Sequence, residues 1–159
     1  MRLRWAVLLM AVVGASHADA GGEAAGSWTI RVTTSGGFTG RGRGGVRVSS
    51  EGKLEAGKTA FPGTVPRSCE YQLSAEELTG IAASVAASKP DGWGAAGQKG
   101  AAPDAFGYRL ELRQGERTHD ATWYDNTRES LPADLKQLYD GVAAAWKRAL
   151  AACEGARDR

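Results

Sequence analysis

The sequence predicts an α+β domain, an antiparallel sheet of about four to five strands packed on one face by two amphipathic helices. Three patterns carry this expectation. Segments such as Trp28-Thr29-Ile30-Arg31-Val32-Thr33 alternate apolar and polar side chains with period two, the mark of a strand with one buried face. Ser74 and Glu77 stand in the S-x-x-E spacing that opens a helix. Leu131, Leu135, Leu138, Val142, Trp146, Leu150 and Cys153 recur at three- and four-residue steps, which gives a long helix one apolar stripe.

The N-terminus reads as a targeting segment. Arg2 and Arg4 precede an apolar run over residues 5–13, and Ala18 and Ala20 complete the A-x-A layout of a secretory signal with cleavage expected after Ala20. The run is too short for a bilayer, which needs roughly 20 apolar residues. The expected organisation is a signal peptide over 1–20, a flexible stretch over 21–27, one domain over 28–153 and a solvated tail over 154–159. Loss of Arg2, Arg4 and Asp19 leaves 18 basic and 17 acidic residues, a net charge of +1. That balance excludes a broad basic field for nucleic acid. We expect an exported monomer, periplasmic or extracellular, with no cofactor and no stable membrane association after cleavage.

Each element has its own signal. After the first strand, Ser35-Gly36-Gly37-Phe38 reads as a tight hairpin connection, because adjacent glycines permit the positive φ that other residues resist. Phe38, at its exit, either packs over the adjoining core or waits for a partner. Val46 and Val48 alternate with Arg47 and Ser49 in the returning strand, and Lys53-Leu54-Glu55 continues the meander. Gly57, Pro62, Gly63 and Pro66 break the pattern before a short strand at Cys69-Glu70-Tyr71-Gln72-Leu73. In the first helix Leu78, Ile81, Ala82 and Val85 share a face, and Lys89-Pro90 ends it. Residues 89–105 hold four glycines and two prolines around Trp93, a long loop that is either a surface excursion or a binding element.

The next hairpin follows from arithmetic. A two-residue turn at Gln114-Gly115 sets Phe106 opposite Trp123, Tyr108 opposite Ala121 and Leu110 opposite His119, all on one face. On the other face Arg109 then meets Asp120 and Arg113 meets Glu116, complementary charges that favour the pairing.

Cys69 and Cys153 are the only cysteines, and an even count in an exported chain most simply forms a bridge, with free thiols or a metal site as the alternatives. Closing 84 residues stabilises by about 4–5 kcal/mol on the loop-entropy model. Catalytic chemistry finds little support. His119, the sole histidine after cleavage, falls on the packed side of its strand, where a structural role is expected, and the adjacent Glu76 and Glu77 point in different directions. Gly40, Gly42 and Gly45 match G-x-G-x-x-G but precede a strand, whereas a dinucleotide fingerprint opens a helix. We expect a protein that is not an enzyme.

The order of motifs resembles the emfourin family, small bacterial inhibitors of protealysin and related thermolysin-like metalloproteases. The resemblance rests on the alternating strand ending in Ser35-Gly36-Gly37-Phe38-Thr39-Gly40 and on Leu73-Ser74-Ala75-Glu76-Glu77-Leu78. It continues in Pro103-Asp104-Ala105-Phe106-Gly107-Tyr108-Arg109-Leu110 and Leu131-Pro132-Ala133-Asp134-Leu135, covering most of residues 28–140. The chain departs from the simpler members in its signal, its cysteines and an extension over residues 53–70. The resemblance implies inhibition by loop occlusion of the protease cleft, with Ser35, Gly36, Gly37, Phe38 and Trp93 as the contacting residues. Phe38 would fill the pocket that takes bulky apolar residues after the cleaved bond. The competing expectation is a non-inhibitory envelope or extracellular binding module.

Overall fold

Trp28, Ile30 and Val32 are all buried, and the strand they belong to, β1 (Trp28–Gly36), is the axis of the fold. A computed structural model describes residues 26–37, 42–58, 67–94, 97 and 102–155, without the side chains of Lys58 and Arg67. The expected signal peptide over 1–20 falls outside these residues, as do residues 21–25 of the stretch expected over 21–27 and residues 156–159 of the tail expected over 154–159, while Glu154 and Gly155 belong to the last helix.

The other strands are β2 (Gly45–Ser49), β3 (Lys53–Lys58), β4 (Arg67–Gln72), β5 (Phe106–Gln114) and β6 (Arg117–Tyr124). They form one six-stranded antiparallel sheet in the order β4-β3-β2-β1-β5-β6. Six strands replace the four to five expected. The additional pairing comes from the 53–70 extension, where β3 carries a single large apolar residue, Leu54, and so gives a weak periodic signal.

Period-two alternation works as anticipated on the covered face. Ile30 lies between Val48 and Leu112, and Val32 lies between Val46 and Leu110, all six of these aliphatic residues being buried. Helices α1 (Ala75–Ala87) and α2 (Ala133–Gly155) close this face. Ile81 and Val85 of α1 and Leu135, Leu138, Val142, Ala145 and Ala149 of α2 are its buried contributions. Fully burying each large aliphatic side chain is worth about 1.5–3 kcal/mol.

Side-chain chemistry fixes the helix ends. The Ser74 hydroxyl accepts from the Glu77 amide at 3.3 Å while the Glu77 carboxylate accepts from the Ser74 amide at 2.7 Å, the reciprocal box read from the sequence. The same carboxylate receives Arg148 Nε of α2 at 2.5 Å, so the cap of one helix is also a clamp on the other. Near the end of α2, Cys153 is disulfide-bonded to Cys69 of β4, with Cα atoms 6.1 Å apart across a sequence separation of 84.

The β5–β6 hairpin corrects the expected register. Tyr108 pairs with Trp123, Leu110 with Ala121 and Leu112 with His119, two residues away from the predicted partners. Glycine is the reason. Gly115 has φ +57° and, among the described residues, no non-glycine residue has positive φ, so the turn is Gly115-Glu116 with glycine first. A Gln114-Gly115 turn of the I′ kind would have forced positive φ on Gln114. A shift of two keeps every side chain on its face. Arg109 consequently reaches Asp120 diagonally, at 3.7 Å, and Arg113 faces Thr118 instead of Glu116.

Candidate functional site: a clamped connection at one end of the sheet

Antiparallel order brings the long connections to one end. β1 and β3 run toward it, β2, β4 and β5 start from it, and β6 finishes there, so the connections over 37–44, 59–66 and 94–105 all begin or finish at that end. The opposite end carries the short turns around Gly52 and Gly115. An aromatic trio supports the long-loop end. Tyr108 stacks on Trp123 at 5.6 Å, and Tyr139 of α2 meets both rings edge-on. Burial, aided by the neighbouring Tyr108, pushes the Tyr139 hydroxyl up to about 12.

The connection from β1 to β2 is held tightly at its stem. Ser35-Gly36-Gly37 does not make a two-residue turn, because β1 continues along β5 as far as the Gly36–Phe106 pair and the reversal extends over 37–44. Thr34 donates its amide to Gly44 O at 3.0 Å and its hydroxyl to the same oxygen at 2.9 Å, while that hydroxyl accepts the Arg43 amide at 2.5 Å. The Gly42 amide donates to Gly36 O at 2.9 Å, and the Gly37 amide to Ala105 O at 3.3 Å.

Two glycines make this closure possible. Gly42 has φ +68°, and a Cβ there would lie 2.2 Å from Thr34 O; Gly37 has φ +73°, and a Cβ there would lie 2.5 Å from the Phe106 ring. The Arg43 guanidinium sits 4.0 Å above the centroid of that ring, a cation–π contact worth about 0.5–1 kcal/mol at an exposed site. The stem therefore leaves residues 38–41 between two fixed points.

The predicted contact residues divide accordingly. Ser35 is exposed opposite Gly107, and Gly36 and Gly37 build the stem. Phe38 lies outside the described residues. Trp93 is fully buried, following a short 3₁₀ turn at Pro90–Gly92, and offers a partner no surface. Its indole donates to Asp134 Oδ2 at 3.0 Å, and the Lys89 amide donates to the same oxygen at 2.7 Å. Burial works against ionisation of Asp134, yet the Lys89 amide, the Trp93 indole and the first-turn amides of α2 outweigh it and hold the carboxyl below the usual aspartate range. Of the two roles open to this loop residue, binding anchor or packed side chain, Trp93 has the second and ties the loop to the start of α2.

His119 lies against the 3₁₀ turn. Its side chain is 20% exposed, and Nδ1 lies 3.6 Å from Asp91 Oδ1 in the 3₁₀ turn. Among the described residues no group of three or more His, Cys, Asp and Glu side chains is arranged to hold a metal ion, and no helix is long and apolar enough to cross a membrane. Sequence reasoning missed Thr34, Arg43 and Phe106 as the stem-building residues. The alternation of arginine with glycine at 41–45 was the available sign, since glycine there relieves backbone approach while arginine supplies the ring contact. Compared with known proteins, the chain matches no family model and no curated protein.

Proposed function

We propose that the protein is an exported, non-enzymatic inhibitor of thermolysin-like metalloproteases that occludes the active-site cleft with the β1–β2 connection, Phe38 being the apolar anchor. The observation that carries this reading is the stem. Hydrogen bonds from Thr34, Gly37 and Gly42, glycine-only backbone and the Arg43–Phe106 contact restrict the ends of the segment that bears Phe38. Preorganisation of this kind lowers the ordering cost of binding, which is how a short loop reaches useful affinity. The disulfide adds resistance to local opening and suits an oxidising compartment. Burial of Trp93 concentrates the anchoring role on Phe38.

Titration of several purified thermolysin-like proteases with the protein tests the reading. Inhibition at stoichiometric concentrations is expected, with a loss on the order of 2 kcal/mol, near thirtyfold, for Phe38→Ala as for a hot-spot anchor. No inhibition of any enzyme in the set overturns the inhibitor reading, and full inhibition by the variant moves the anchor elsewhere. The second reading, a non-inhibitory extracellular binding module, is favoured by the uncovered charged face of the sheet.

A further inference from the structure

Across the open face, one row of the sheet reads Glu70, Glu55, Arg47, Arg31, Glu111, Asp120, each residue directly opposite the next on neighbouring strands. Like charges directly opposite one another are destabilising, and this row holds three such pairs. Lys53 relieves one of them by pairing with Glu55 at 2.9 Å and Glu70 at 3.6 Å, and Arg109 reaches Asp120 at 3.7 Å. Arg47 feels the field of Glu55, and Arg31 stands opposite Glu111, but neither arginine closes an ion pair of the kind Lys53 and Arg109 make. Both are exposed, and among the described residues neither guanidinium makes a side-chain hydrogen bond or an ion pair within 4 Å.

The surroundings of this arginine pair have a direction. Along β1 and β2 the flanking positions are Thr29 and Ser49 on one side and Thr33 and Gly45 on the other, all small and uncharged. Across the strands the flanking positions are Glu55 and Glu111. A trough of about 960 Å³ follows β1 from Ser27 to Thr34 over these residues, with its floor lowered at Gly45 and Gly57. An anion laid along the strands meets arginine, hydroxyls and bare backbone, whereas a polyanion laid across them meets carboxylates.

We infer that this face docks an extended peptide segment carrying a single carboxylate side chain over Arg31 and Arg47. The seven residues Trp28 to Thr34 span about 23 Å, the reach of a seven-residue extended segment. Two adjacent guanidiniums provide planar donors that match a carboxylate, and Glu55 and Glu111 reject a second acidic group beside it. A second copy of the chain has the complementary charges when displaced by two strands, but its own face is an equally hollow trough and does not fill this one. The inference is independent of protease inhibition, since none of the residues that line the trough is among those proposed to contact a protease.

The test is an NMR titration of the isotope-labelled protein with a capped seven-residue probe of glycine, serine and threonine around one central glutamate. Its glutamine analogue, and acetate at matched carboxylate concentration, are the controls. The glutamate probe is expected to shift the amides of Thr29, Arg31, Thr33, Gly45 and Arg47. Arg31→Gln with Arg47→Gln should weaken it about tenfold or more, and Glu111→Gln should tighten it severalfold, as removal and addition of charge complementarity require. Retained amide dispersion shows that the variants fold, which exposed positions permit. Equal binding of the glutamine analogue, the same shifts with acetate alone, or shifts confined to other residues overturn the inference. So does concentration-dependent dimerisation that Arg31→Gln with Arg47→Gln abolishes, because the occupant is then a second copy.

Discussion

Ile30 and Arg31 are neighbours on β1 and occupy the same six-stranded sheet, yet their settings differ completely. Ile30 has no exposed surface and sits between Val48 and Leu112, so every cross-strand contact it makes favours the fold. Arg31 is exposed between Arg47 and Glu111, and one of those contacts opposes the fold. The covered face is thus arranged for stability, and the open face carries an arrangement that stability alone does not explain. A sheet tolerates this because exposed charges interact weakly through water, by about 0–1 kcal/mol per pair.

Mutations can sharpen or break this contrast, and the largest effect belongs to the covalent tie behind the covered face. Replacing Cys69 and Cys153 by serine should lower unfolding free energy by about 4–5 kcal/mol on the loop-entropy model, read from denaturant midpoints of wild type and variant. Ile30→Ala should cost about 2–5 kcal/mol, as for other large-to-small core changes. Asp134→Asn should cost about 1.5–3 kcal/mol, because it removes the charge that receives the Trp93 and Lys89 donors. Its readout also includes pH. Asp134 titrates below its unfolded value of about 3.9, so its contribution is complete above that value and is lost as pH falls through the folded one. Glu77, lowered first by the Ser74 amide and then by Arg148 against the cost of burial, behaves the same way below about 4.3. The Asn variant should therefore show a flatter acid limb than wild type in thermal scans from pH 6 to 3. The smallest effect is expected for Arg31→Gln, within about 0.5 kcal/mol of wild type. A loss there comparable to that of Ile30→Ala would erase the distinction between the faces.

How legible the fold was depends on how local its causes are. The alternation in β1, the Ser74–Glu77 box and the stripe from Leu135 to Cys153 are short-range patterns, and each appears where the sequence indicated. The β5–β6 hairpin was read on the correct faces but two residues out of register, because the turn position depends on which residue accepts positive φ. The strand count fell short because Lys53-Leu54-Glu55 gave only a three-residue signal, whereas the segment pairs with β2 on one side and β4 on the other as a full strand. The candidate site was less accessible. Ser35, Gly36 and Gly37 announced a reversal, but its closure uses Gly42, Arg43, Ala105 and Phe106, and the last two come from a strand entry some seventy residues away. Trp93 looked presentable because its partner, Asp134, is 41 residues further along the chain.

The Cys69–Cys153 bond also divides the protein topologically. It closes a covalent ring containing α1, β5, β6 and α2, with part of β4, and leaves β1, β2 and β3 outside it. β1 is nonetheless one of the two middle strands, paired with β2 on one side and with ring member β5 on the other, and anchored by Trp28, Ile30 and Val32. A cut between Gly37 and Gly42 would give two polypeptides, of which the shorter keeps both hydrogen-bonded neighbours and its buried side chains. The nicked molecule would therefore remain one particle, so that a protease able to clip the connection at its cleft would still face an assembled protein.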